Sequence, residues 1–279
     1  MKPKRISTII VNEAIATDIN SFSQIECPCC GMEILSADGH SGFCQFCEYY
    51  TNTNYVQNAP GTVQKGDFTA ALKKADLPAA SRILEKMVVA NKPEIFYLAG
   101  NFYAYFSDSI YMDVNYASEG FMEKNSEHRT NSEFEFNSMH LTSKSREYFY
   151  KLLKITNAEK EDQSIVFLRF MSYMKLKKHA EAEWELNSLR TLSKDAMLVQ
   201  YASAVFYART EKEPDASHII PLLQNKTTNA YYYLAKMLIN QKQFSYAEEL
   251  LKKINKSTIM PSAIYESFVL KGLREASGL

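Results

Sequence analysis

The stretch Lys177-Lys-His-Ala-Glu-Ala-Glu-Trp-Glu-Leu186 decides the fold class, because a similar stretch, Lys242-Gln-Phe-Ser-Tyr-Ala-Glu-Glu-Leu-Leu251, follows later in the chain. Pro214-Asp-Ala-Ser-His-Ile-Ile220 supplies an intermediate copy, so the period is roughly 33 residues. Apolar residues in this part of the chain recur at spacings of three and four, which is the period of an amphipathic helix. The sequence therefore predicts repeated pairs of helices.

The composition agrees with a mostly α-helical, folded protein. The chain has 279 residues, 46% of them hydrophobic, which is enough to fill a core. Nine glycines and eight prolines are few for this length and disfavour glycine-rich phosphate-binding loops and turn-rich barrels. Lys and Arg together number 32, as do Asp and Glu, so the chain as a whole lacks the positive charge of a dedicated nucleic-acid binder.

Two pairs of cysteines near the beginning of the chain have the spacing of a metal site. They are Cys27-Pro-Cys-Cys30-Gly31 and Cys44-Gln-Phe-Cys47. Two residues between cysteines allow one tight turn to direct both sulfurs inward, and a second such turn completes a tetrahedron. We expect one zinc ion bound by Cys27, Cys30, Cys44 and Cys47, with iron as the less favoured metal. Four protein ligands leave no open coordination position, so the predicted role is structural.

The residues around these cysteines resemble a zinc ribbon over roughly residues 25–51, since the first turn reads Cys-Pro-x-Cys-Gly. Asp38-Gly39-His40 is a natural hairpin tip, with short strands expected at Met32-Glu-Ile-Leu35 and Gly42-Phe43. Glu48 departs from the ribbon pattern, because many ribbons have a second glycine there. His40 is expected in the turn, with ligation as the alternative.

Cys29 is a fifth thiol inside the first turn. We expect it to be directed away from the metal, the alternative being ligand exchange or oxidation sensing. The predicted ribbon is acidic: residues 21–50 hold Glu26, Glu33, Asp38 and Glu48 and neither Lys nor Arg. Phosphate would be repelled, so we expect this region to pack against the chain's own helices or against a protein.

The helical region resembles the tetratricopeptide repeat, because small residues stand where paired helices would cross. The expected close-approach positions are Gly100, Ala204 and Ala235 in first helices, with Met112, Ala216 and Ala247 twelve residues later in second helices. Phe170 and Met112 depart from the pattern. The resemblance covers about residues 67–111 and 145–270 and implies a mostly α helical-repeat solenoid joined to a small β zinc ribbon.

The domain organisation predicted from these patterns has four parts. Residues 1–24 are an N-terminal segment, 25–51 the zinc ribbon, 52–66 a polar linker with a Pro-Gly, and 67–279 the solenoid. An insertion rich in Asn, Ser and Glu is expected near 113–143.

The resemblance also implies a partner-binding groove lined by the first helices. Three residues before each close-approach site stands an aromatic residue, namely Tyr97, Phe167, Tyr201 and Tyr232. In register, these side chains would form a stripe that binds an amphipathic helix or an extended peptide. The alternative is that the register is off by one residue and that the rings belong to the core.

The function expected from the sequence is that of a non-enzymatic, zinc-binding adaptor that binds protein partners through this groove. The histidines other than His40 are scattered, and the alternating Glu181, Glu183 and Glu185 are expected to face solvent. The alternative is a ribosome- or polymerase-associated factor that contacts nucleic acid through lysine clusters, at Lys175, Lys177, Lys178 and at Lys252, Lys253, Lys256. We expect a cytoplasmic protein, since neither an export signal nor a membrane-length apolar run is evident.

Overall fold

The structure is a computed structural model, which describes residues 12, 14, 16, 23–36, 38–44, 46–52, 65–74, 76–116, 138–157, 162–210, 228–257, 270 and 274. Mostly helical, it also has a small β region near the beginning of the chain. The strands are β1 (Ser23–Glu26), β2 (Glu33–Ser36), β3 (Ser41–Phe43) and β4 (Tyr50–Asn52). The helices are α1 (Lys65–Lys73), α2 (Leu77–Met87), α3 (Pro93–Tyr116), α4 (Ser138–Thr156), α5 (Gln163–Lys175), α6 (His179–Leu192), α7 (Ala196–Thr210), α8 (Thr228–Asn240) and α9 (Phe244–Ser257).

The chain divides into two compact units. One comprises residues 1–26, 33–57 and 159–279, and within it α5 contacts α6 and α7, α7 contacts α6 and α8, and α8 contacts α9. The other comprises residues 27–32 and 58–158, with successive contacts from α1 through α4. Within the residues that the structure describes, none of the helices is both long enough and apolar enough to span a membrane.

The internal repeat is reproduced in the helix boundaries. Helices α5 and α8 have 13 residues each, and helices α6 and α9 have 14 residues each. Helix α8 begins as many residues after α5 as α9 begins after α6. The two similar stretches of sequence are separated by the same number of residues. These two described helix pairs are therefore equal in length.

The turn between the helices is also the same in both pairs. Lys177 and Lys242 each adopt a left-handed backbone conformation, with φ of 59° and 58°. Each of their amides donates to the carbonyl three residues earlier, and the following amide donates to the carbonyl five residues before it, at 2.8–3.2 Å. This is the Schellman motif that ends a helix.

The small residues of the repeat are buried as expected for positions of close helix approach. Ala182 and Ala247 of the second helices, and Ala204 and Ala235 of the first helices, are fully buried. First helix α7 begins about one repeat period after α5, and α8 begins about one period after α7. The predicted second helix around Ala216 lies outside the described residues.

Helix α3 differs from the predicted repeat. It continues without interruption from Pro93 through Met112, so Met112 belongs to the same helix as Gly100 and not to a second helix. The partner of Gly100 is instead Phe149 of α4, whose ring lies 2.6 Å from the position that a Cβ atom on Gly100 would take. Only glycine permits this approach. The central part of the predicted insertion lies outside the described residues.

The β region also differs from the prediction in its pairing. The turn at Asp38 forms, since its carboxylate accepts hydrogen bonds from the amides of His40 and Ser41 at 2.8 and 2.7 Å. The strands on either side of it, however, do not pair with each other. Strand β1 pairs antiparallel with β2, and β3 pairs antiparallel with β4, in two separate two-stranded sheets. Each pair of cysteines therefore lies in the turn of its own hairpin.

The expectation that three glutamates of α6 face solvent is wrong for one of them. Glu181 and Glu183 are exposed, but Glu185 is buried and makes a two-point ion pair with Arg169 of α5, at 2.8 and 3.0 Å. Burial raises the pKa of Glu185, and the hydrogen bonds and charge of Arg169 oppose that shift. The pair joins the two helices of one repeat.

We predict that Gly100→Ala lowers the stability of the unit that contains α3 and α4. The added methyl group would overlap the Phe149 ring, and overpacking of this kind costs about 1–3 kcal/mol. The matched control is Gly66→Ala, since no atom lies within 4 Å of a Cβ at that helical position. The control should raise stability by up to about 1 kcal/mol. Urea denaturation followed by circular dichroism measures both, and equal effects would contradict the close approach.

Candidate metal centre and the adjoining hairpin

The four cysteines predicted as ligands lie together. The sulfurs of Cys27, Cys30, Cys44 and Cys47 are all within 4.8 Å of one another, and each residue is fully buried. A zinc–sulfur bond of about 2.3 Å implies about 3.8 Å between the sulfurs of a tetrahedral site. The observed upper limit is within roughly 1 Å of that value. The cluster therefore has the composition and the compactness needed to hold one metal ion.

Both cysteine turns have the same backbone structure. The amide of Cys27 donates to the carbonyl of Met32 at 2.8 Å, and the amide of Gly31 donates back to Cys27 at 2.9 Å. The second turn repeats both bonds, from Cys44 to Tyr49 at 2.9 Å and from Glu48 to Cys44 at 2.8 Å.

The residue after each turn has a positive φ, 75° at Gly31 and 59° at Glu48. This conformation costs a non-glycine residue about 1–2 kcal/mol. The second turn therefore has the same two closing hydrogen bonds and the same positive φ as the first, although a glutamate stands where glycine would be unstrained.

The fifth cysteine and the histidine lie apart from the cluster. Cys29 is buried, and its sulfur is 3.6 Å from the carbonyl oxygen of Glu94 in α3, which fits the expectation of a thiol directed away from the metal. His40 is exposed in the turn that follows Asp38. That turn is strongly hydrogen-bonded: burial would raise the pKa of Asp38, but hydrogen bonds from Ser41, His40 and Ser36 lower it to about 2.

Glu48 forms a buried charged cluster that the sequence did not reveal. Its side chain is buried, and its carboxylate forms ion pairs with Lys175 at 3.1 Å and with Arg209 at 3.0 Å to each oxygen. The hydroxyl of Tyr233 donates to the same carboxylate at 3.3 Å. Burial alone would raise the pKa of Glu48, but the charges of Arg209 and Lys175 lower it to about 2. The only sequence signal was the absence of the usual glycine.

The hairpin of β3 and β4 rests on the helices of its own unit through an aromatic contact and a polar contact. The ring of Phe43 stacks on that of Tyr201, with 3.6 Å between centroids and an interplanar angle of 21°. The hydroxyl of Tyr50 donates to the carboxylate of Asp195, just before α7, and the side-chain amide of Asn52 donates to it at 3.1 Å. The expected packing of the acidic region on the chain's own helices is thus observed for this hairpin.

The four aromatic residues predicted to line a groove are all buried, with exposed fractions between 0% and 4%: Tyr97, Phe167, Tyr201 and Tyr232. Tyr97 packs against Phe149 in its own unit, with 6.3 Å between ring centroids.

In the other unit an aromatic row does cross three first helices, and its rings are Phe167, Tyr201 and Tyr233. Successive centroids are 6.2 and 5.7 Å apart. On α8 the residue in the row is therefore Tyr233, one position beyond the predicted Tyr232. The run of three tyrosines, 231–233, explains why sequence spacing alone could not place this ring.

Several lysines of the two predicted clusters have partners within the chain. Lys175 binds Glu48, Lys178 lies 3.7 Å from Glu181, and Lys252 lies 2.6 Å from Glu248. Lys253 donates to the carbonyl oxygen of Ala14 at 2.8 Å. The side chain of Lys256 lies outside the described residues.

Comparison with models of protein families, with characterised proteins and with solved structures finds no match to this chain.

We predict that the purified chain holds about one zinc ion and that Cys30→Ser removes most of it, because a hydroxyl is a poor substitute for a thiolate ligand. Cys29→Ser is the matched control in the same turn and should keep the metal, since its sulfur lies outside the cluster. Elemental analysis of the full-length variants measures the content. Strong visible absorption would identify iron, and equal loss of metal from both variants would contradict the assigned ligands.

Proposed function

We propose that this chain is a non-enzymatic, zinc-binding adaptor in which the helical repeats bind protein partners. The observation that carries the proposal is the aromatic row of Phe167, Tyr201 and Tyr233. This row crosses three neighbouring helices and already holds an extended segment, the hairpin of β3 and β4. A surface that binds one extended segment through aromatic stacking and charge is suited to bind another.

The metal centre supports a structural role. All four sulfurs come from the protein, so a bound zinc ion would have no open position for a substrate or an activated water molecule. Zinc would instead neutralise part of the thiolate charge and hold the two cysteine turns in their hydrogen-bonded form. In this proposal the ion holds the two cysteine turns, and the helices bind the partner.

The tetratricopeptide-like nature of the helices is part of the same proposal. The pair of α5 and α6 and the pair of α8 and α9 have the same helix lengths and the same Schellman turn. First helices α5, α7 and α8 contact one another in order. Repeats of this class expose a face of first helices, which is where their partners bind.

The charges favour protein over nucleic acid as the partner. Lys175 and Arg209 beside the row share the carboxylate of Glu48, so both are already engaged in an ion pair within the chain. Three of the other lysines considered for phosphate contacts, Lys178, Lys252 and Lys253, also have partners within the chain. A phosphate-binding surface requires basic side chains that are available to the nucleic acid.

The function is tested by capturing partners with the tagged full-length protein from its native cells, with and without nuclease. We expect a defined set of proteins that survives nuclease. Phe167→Ala should reduce capture at least tenfold, because the ring belongs to the row. Phe170→Ala, a change of the same size on the same buried helix, should reduce it much less. Both are assayed below their melting temperatures.

A third variant tests a different surface. Trp184 is 58% exposed on α6 and lies outside the aromatic row. Trp184→Ser should leave capture unchanged. Loss of partners with this variant alone would show that partners bind at α6 and not at the aromatic row. Capture that is lost on nuclease treatment would favour the nucleic-acid alternative.

A further inference from the structure

Glu48 occupies a position where its backbone conformation favours glycine and where burial of its charge is unfavourable. Its φ of 59° matches the role of Gly31 in the first cysteine turn, and its side chain is 1% exposed. Neither property helps to form the turn, because glycine would form it without strain. The carboxylate must therefore be explained by what it contacts.

The contacts of this carboxylate join the second cysteine turn to three helices. Lys175 lies at the end of α5, Arg209 near the end of α7, and Tyr233 within α8. Arg209 also donates to the hydroxyl of Tyr233, at 3.2 Å, so the charged and the phenolic partners of Glu48 contact each other. One side chain thereby bridges all three first helices that carry the aromatic row.

The same residue is joined to the cysteines through the backbone. Its amide donates to the carbonyl of Cys44, and it directly follows Cys47, whose amide lies 3.5 Å from the sulfur of Cys44. A change in the backbone of this turn would alter the direction of the Glu48 side chain. The position of the carboxylate between Lys175 and Arg209 therefore depends on the turn that holds the sulfurs.

We propose that Glu48 is a positioning residue that couples metal binding at the cysteine cluster to closure of the hairpin of residues 41–52 over the aromatic row. With the metal bound, the turn holds Glu48 against Lys175 and Arg209, and Phe43 covers Tyr201. When the metal leaves, the hairpin separates from the helices and uncovers the row. The proposal rests on the proposed function, since it assigns the hairpin as the internal occupant of the partner-binding surface.

The test uses the full-length chain and two changes at one position. Glu48→Gly introduces the residue that the turn itself prefers and removes the carboxylate. Glu48→Gln removes only the charge. Zinc affinity is measured by competition with a chromophoric chelator, and hairpin closure by hydrogen exchange of residues 41–52. We expect both variants to bind zinc about tenfold more weakly and to exchange faster in the hairpin, as is typical when residues that orient metal ligands are lost.

Glu26→Gln is the matched control. Glu26 directly precedes Cys27, as Glu48 directly follows Cys47, and its side chain is exposed. If the effect came merely from a negative charge next to a ligand, Glu26→Gln would show it too. We expect zinc affinity and hairpin exchange to equal those of the unchanged protein.

Removal of zinc from the unchanged protein with EDTA completes the test. We expect faster exchange in residues 41–52, while α5, α7 and α8 remain protected. If zinc affinity and hairpin exchange are unaffected in both Glu48 variants, the coupling is overturned. The proposed adaptor function does not depend on that result. Deprotection of all three helices on zinc removal would also overturn it, because the metal would then support the fold as a whole. A chain that binds no metal would overturn the coupling and the metal-binding part of the proposed function, whereas loss of partner capture alone would refute the adaptor function.

Discussion

Four buried sulfurs within 4.8 Å of one another constrain the two hairpins that carry them. Thiolates at that separation repel one another unless a cation lies between them. Protonated thiols would not repel, but they must lose their protons to bind a metal ion. Each pair of sulfurs is presented by a turn closed with the same two backbone hydrogen bonds. The short strands on either side of each turn pair with each other, so hairpin formation and sulfur placement are one local structure.

The buried carboxylates of Glu48 and Glu185 each join one secondary-structure element to another. Glu48 connects a cysteine turn to α5, α7 and α8, and Glu185 connects α6 to α5 through Arg169. A buried carboxylate is costly unless its oxygens are paired, and removing one partner of such a pair costs about 3–5 kcal/mol. Both carboxylates have two or more bonds from basic groups or hydroxyls. These ion pairs join surfaces of different elements, whereas apolar burial is the dominant favourable contribution to folding.

In our proposal the helices α5, α7 and α8 provide a binding surface that the hairpin of β3 and β4 covers. The small residues Ala204 and Ala235 allow close approach, and Phe167, Tyr201 and Tyr233 follow one another across the first helices. In this structure Phe43 occupies the centre of that row. Adaptor function and metal binding are linked in our proposal because the covering hairpin carries two of the four cysteines.

Features that depend on local spacing could be predicted from the residues alone. Two C-x-x-C pairs specified the four clustered cysteines, and the internal repeat specified helix pairs of identical length, since a turn and an amphipathic period are each encoded within a few residues. The long-range contacts are evident only in the folded chain. They are the packing of Gly100 against Phe149, the ion pair of Glu185 with Arg169, the contact of Tyr201 with Tyr233, and the ion pairs of Glu48 with Lys175 and Arg209. Such contacts join residues that are far apart in the sequence. They depend on how whole helices and hairpins pack, which local residue spacing does not specify.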